Sequence, residues 1–130
     1  MDNLTLIIPA KNENESLPIF LDELKNYNFK KIIIIQRDDI STKQSVLEDD
    51  NTKILYQKIN GYGGAIIEGI NNSTTKFSCI INADGSMNPK YLGEMLNICI
   101  NQDLVFASRY IKPTGGSDDD TFLTKIGNYF

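Results

Sequence analysis

Histidine is absent from this chain of 130 residues. Its absence excludes a Ser-His-Asp triad, a histidine-ligated zinc site and a histidine general base. Cysteine is scarce: Cys79 and Cys99 are separated by twenty positions, and neither belongs to a CxxC pair. They read as two buried, reduced thiols. No uninterrupted apolar run reaches the roughly 18 residues that a membrane-spanning helix needs. Basic residues are in the minority, 13 against 17 acidic, for a net charge of −4. That balance argues against a nucleic-acid-binding surface and gives no strong attraction to an anionic membrane. The opening MDNLTLIIPA lacks the basic stretch of a secretory signal, so a cytoplasmic protein is expected. Any chemistry must rest on carboxylates, backbone amides, Lys or Arg, or a metal held by oxygen.

What is present is a globular composition, 41% hydrophobic and 23% charged, enough for one domain over residues 1–130 with a real core. LTLIIP (4–9), KIIIIQ (31–36), KILYQ (53–57), FSCIIN (77–82) and LVFAS (104–108) are short apolar runs that predict strands. The continuous β-branched run at 31–36 suits a strand covered on both faces. Between these runs lie helical patterns. Ser16 is expected to cap a helix whose stripe is Leu17, Phe20, Leu21 and Leu24. Ser41 is expected to cap a weaker helix over 41–49. Glycines lead into a helix at 63–72, and Asn88-Pro89 opens another with Leu92, Met95, Leu96 and Cys99 inward. This alternation predicts an α/β fold, a doubly wound and mainly parallel sheet with helices on both faces.

Ligands in such sheets bind beyond the carboxyl ends of the strands. The residues there are Pro9-Ala10-Lys11-Asn12-Glu13, Arg37-Asp38-Asp39, Gly61-Tyr62-Gly63-Gly64, Asn82-Ala83-Asp84-Gly85 and Ser108-Arg109-Tyr110. Carboxylates, amides, glycines and an arginine therefore gather on one edge. An Asp at a strand end is held rigidly, and a following Gly lets another group approach closely. Such a carboxylate beside a diphosphate suits Mg²⁺ or Mn²⁺, which take one or two protein carboxylates and fill the remainder with phosphate oxygens and water. Asp84 could equally be a turn residue, Asp38 and Asp39 could simply begin a turn, and the glycines could simply permit one.

In order and spacing, TLIIPAKNENESLPIFLDEL, RDDIS, GYGGAIIEGI, NADGSMNPKYLGEML and SRYIKPTGG together resemble the family-2 glycosyltransferases of the GT-A fold. Within that family the chain is similar to the polyprenyl-phosphate sugar transferases, the dolichyl-phosphate mannose synthase-like group. The resemblance implies a metal-dependent, inverting transfer of sugar from a UDP- or GDP-sugar to an acceptor, with a lipid phosphate as one such acceptor. It implies that Pro9, Ala10 and Glu13 line the nucleotide pocket and that Asp39, with Asp38 beside it, meets the base or ribose. Gly63 and Gly64 would admit the nucleotide, Asp84 would hold Mg²⁺ or Mn²⁺ with Asn82 alongside, and Arg109 would face phosphate. With a lipid acceptor the protein would sit at the inner face of the membrane and serve cell-envelope glycan synthesis.

The chain departs from the family pattern in several places. Asn82 replaces the first Asp of Asp-x-Asp, Lys11 stands where Tyr is common, Ile40 replaces a Gly, and Lys43 replaces a common Asp. These leave the base open. Family members also run on past this length, so the expectation is a donor half without an acceptor half. A sheet with part of its cover missing would expose apolar surface and form a homo-oligomer. Two other classes stay in view. A sugar-phosphate nucleotidyltransferase would carry Gly and Arg after the first strand, where this chain has PAKNENES. A non-catalytic binding module would tolerate Asn82.

Overall fold

The computed structural model describes residues 3–108. The chain divides between Tyr91 and Leu92 into two compact units. The first holds the sheet. Its strands are β1 (Leu4–Ala10), β2 (Lys30–Ile35), β3 (Thr52–Tyr56) and β4 (Phe77–Ile80), all parallel and ordered β3-β2-β1-β4.

The isoleucine run explains the centre of this sheet. All four of Ile32–Ile35 are buried, which requires cover on both faces. Ile7 of β1 is in register with Ile32 of β2. Together with Ile34 they pack against Ala65 of helix α3 (Tyr62–Asn71). Leu6, Ile8, Ile33 and Ile35 point to the opposite face and are also buried. Right-handed crossovers put α1 (Ser16–Glu23) and α2 (Ile40–Gln44) on that side. Leu17 and Phe20 of α1 are buried, as is Leu24 in the 3₁₀ turn that follows, so the predicted apolar stripe is present.

Several local expectations are corrected. Ser16 does not cap α1. The Leu17 N–H already bonds the Glu13 carbonyl at 3.0 Å, which puts Ser16 inside the first turn, and its hydroxyl donates to the Glu13 carboxylate instead. Ser41 does not cap α2. Asp39 does, accepting from the Thr42 N–H at 3.1 Å. That helix ends at Gln44 rather than running to 49, because Val46 turns inward and Asp49 bridges back to Thr52. Pro89 begins a 3₁₀ turn, Pro89–Tyr91, rather than the first turn of an α-helix. Asn88 Oδ1 accepts from the Lys90 N–H at 3.0 Å within that turn.

In the second unit, α4 spans Leu92–Cys99. Cys99, like Cys79 of β4, is half-buried rather than buried as expected, because each lies on an element covered on one side only in part. The strand expected at 104–108 does not form: those residues carry no ladder, and Leu104 and Phe106 are 67% and 81% exposed. An apolar run becomes a strand only where a neighbour supplies hydrogen bonds. Among the described residues no helix is long and apolar enough to cross a membrane.

Candidate active-site cleft

In the order β3-β2-β1-β4, the sheet grows one way from β1 through β2 and then resumes on the other side with β4. The chain leaving β1 and the chain leaving β4 therefore diverge, and a crevice opens at the carboxyl ends of these two neighbours. A cleft of about 410 Å³ lies there. Pro9, Ala10, Lys11 and Glu13 line it from the β1 exit, and Asn82, Ala83 and Asp84 from the β4 exit. Gln36 and Gln57 close the side towards β2 and β3, and Gly61 and Tyr62 bring the head of α3.

The β1 wall is fixed by hydrogen bonds to α2. Asn12 adopts a left-handed conformation (φ 57°), which Asn tolerates better than most residues. Its N–H donates to Asp39 Oδ2 at 2.7 Å, and the next N–H, of Glu13, donates to Thr42 Oγ1 at 2.9 Å. Asp39 is buried, and its other oxygen accepts from the Thr42 N–H and the Ser41 hydroxyl, each at 3.1 Å. Burial pushes the Asp39 carboxyl up. The hydrogen bonds from Asn12, Thr42 and Ser41 outweigh it, so the group lies below the usual carboxylate range.

The wall beneath α3 is fixed by Glu68. Its carboxylate accepts from the N–H groups of Lys58 and Ile59 at 2.9–3.2 Å, holding the loop after β3. Gln57 Nε2 reaches the carbonyls of Ile59 and Gly61 at 2.6 and 2.8 Å. Gly64 sits against this loop, where a Cβ would come within 2.4 Å of the Ile59 carbonyl oxygen.

The β4 exit carries the exposed carboxylate. Ladder pairing continues one residue past the strand, with Ile81 N–H donating to the Ile7 carbonyl at 3.0 Å. The chain then turns. Asp84 Oδ1 accepts from the Ser86 N–H at 2.9 Å, and Gly85 takes φ 73°, a conformation in which a Cβ would be strained. Gly85 thus serves the turn that presents Asp84. Among the described residues no cluster of three acidic or thiol groups could hold a metal alone. A cation at Asp84 would draw its remaining oxygens from a ligand, which fits Mg²⁺ or Mn²⁺.

Residues 5–125 match the family described as glycosyl transferase family 2. The chain belongs to that family. It is also 28% identical over 99 residues to an uncharacterized glycosyltransferase of Mycobacterium bovis and to two of Mycobacterium tuberculosis strains, an overlap covering 72% of this chain and 44% of each relative. The chain therefore spans less than half the length of the curated relatives it matches. Its parallel α/β sheet is the GT-A, Rossmann-like architecture that this membership implies.

Within this family-2 domain, the cleft brings together Pro9, Ala10, Glu13, Asn82 and Asp84 of the residues singled out in the sequence. Asp38, Asp39, Gly63 and Gly64 do not line it. Asp38 and Gly63 are exposed. Asp39 holds the β1 wall from behind, and Gly64 makes room for the Ile59 loop. Arg109 lies outside the described residues. The cleft also includes Lys11, Gln36, Gln57 and Tyr62, to which sequence reasoning assigns no role. Gln36 and Gln57 directly follow strands, so their position was available as a signal. Their side chains carried no motif.

Proposed function

We propose that this chain forms the donor-binding part of a glycosyltransferase and that the β1–β4 cleft takes a nucleoside-diphosphate sugar. The observation that carries this reading is the joining of Asp84, on a rigid strand exit, with a cleft at the switch point of a family-2 domain. The head of a ten-residue helix borders the same cleft, and its positive end favours a diphosphate. Pro9, Ala10 and Glu13 would flank the nucleoside. Asp84, with Asn82 beside it, would hold Mg²⁺ or Mn²⁺ on the diphosphate, and Arg109 would face phosphate. When bound, the metal offsets charge building on the leaving diphosphate.

The acceptor proposed from the family resemblance is an anion, such as a polyprenyl phosphate. Its oxygen attacks the anomeric carbon without first losing a proton. The bond from that carbon to the diphosphate oxygen breaks, and the nucleoside diphosphate leaves with the electron pair. A hydroxyl acceptor would need a positioned base.

Thermal unfolding of the chain against UDP, GDP, CDP and dTDP, each with and without Mn²⁺, tests the donor site. A ligand at about one hundred times its dissociation constant adds roughly 2.7 kcal/mol, an upward shift of several degrees. A shift with one diphosphate that needs Mn²⁺ is expected. No shift with any of them would overturn the proposal.

A further inference from the structure

Tyr62 and Asn82 stand 20 positions apart in sequence, yet the Tyr62 hydroxyl donates to Asn82 Oδ1 at 3.0 Å. Tyr62 sits at the head of α3 and Asn82 on the β4 exit, so the bond joins two elements that border the same cleft. Asn82 carries the link further. Its Nδ2 lies 3.4 Å from Ser86 Oγ, and the Ser86 N–H donates to Asp84 Oδ1 at 2.9 Å. A short chain of polar contacts therefore runs from α3 to the carboxylate at the cleft rim. An amide suits the middle of that chain because it accepts on one side and donates on the other. Tyr62 is 56% exposed, so it contributes little to the core, and its hydroxyl makes a specific contact with Asn82.

We propose that Tyr62 is a positioning residue for Asp84: through Asn82 it holds the turn at 82–86 so that the carboxylate faces a cation bound with the donor diphosphate. This inference rests on the donor-site reading above. Removing the hydroxyl releases the Asn82 side chain, widens the range of Asp84 orientations and weakens the hold on the cation. The nucleoside end, bordered by the β1 exit, does not depend on this contact.

The test uses Tyr62→Phe, Asn82→Ala and the double variant, with two readouts. The first is the ratio of GDP or UDP affinity with Mn²⁺ to affinity without it. Tyr62→Phe lowers that ratio on the order of fivefold, the worth of one hydrogen bond, and has no further effect in an Asn82→Ala background. The second is amide hydrogen exchange at Ser86, which needs no ligand. Tyr62→Phe speeds it by a similar factor while the global unfolding midpoint stays put. If the parent binds no nucleotide under either condition the donor reading falls, and faster Ser86 exchange still supports the tether. Unchanged Ser86 exchange, an equal loss of affinity with and without Mn²⁺, or additive effects in the double variant would each overturn the proposal.

Discussion

Replacing Asp39 by Asn keeps the side chain's shape and turns one carboxylate oxygen, an acceptor, into an amide NH₂, a donor. In the parent, Oδ2 accepts from the Asn12 N–H at 2.7 Å, and Oδ1 accepts from Thr42 N–H and Ser41 Oγ. Neither oxygen can become an NH₂ without facing a donor. One of these donors is left unpaired in a buried setting, which costs about 1–3 kcal/mol. Asp39→Ala removes the helix cap as well and is expected to cost about 2–4 kcal/mol. Urea unfolding at neutral pH measures both. The acid limb gives a second reading. The folded state holds Asp39 below its ordinary value of 3.8, so folding favours the ionised form. That stability is complete above the ordinary carboxylate range and is lost as pH falls through it towards the lower folded value. Asp39→Asn should therefore lose less stability than the parent between about pH 5 and pH 3. An Asn variant within about 0.5 kcal/mol of the parent, with the same acid limb, would refute the assignment of Asp39 as the anchor of the β1 wall.

Other predictions concern the α3 and β4 walls. Gly64→Ala should destabilise by about 1–3 kcal/mol in urea unfolding, because its Cβ meets the Ile59 backbone at 2.4 Å. Gly63→Ala, with nothing within 4 Å, should be neutral or stabilising by up to about 1 kcal/mol in the same assay. Asn82→Asp keeps an acceptor for the Tyr62 hydroxyl and adds a negative charge beside Asp84. Calorimetric titration of Mn²⁺ in the presence of the nucleoside diphosphate should show tighter binding than in the parent.

The central sheet was legible because its signal is local and repeated. The isoleucines of β2 leave no polar face, so the run states its own burial. The apolar runs of β1, β3 and β4 end within a residue or two of the observed strands. The LVFAS run at 104–108 looked equally apolar and forms no strand, since a ladder depends on a neighbour that the run itself does not specify. Caps were harder to read. Asp39 and Ser41 are both good capping residues two positions apart, and only the backbone path decides which one leaves the helix. The edge that carries the cleft was legible from strand exits, whereas the direction of each side chain was not. Asp39 turns inward to α2 while its neighbour Asp38 is exposed. The Tyr62–Asn82 contact had no sequence signal, because it arises where α3, packed over β1 and β2, brings its first residue to the exit of β4.

The most direct test of the account is calorimetric titration of the nucleoside diphosphate that gives the largest thermal shift, in the parent and in Asp84→Ala, each with and without Mn²⁺. Asp84 is exposed and its Oδ1 accepts from the Ser86 N–H, so the substitution should cost about 1 kcal/mol of stability and leave the fold intact. The account predicts that Mn²⁺ strengthens binding in the parent and that this gain disappears in Asp84→Ala. Equal Mn²⁺-dependent binding in both proteins would contradict it.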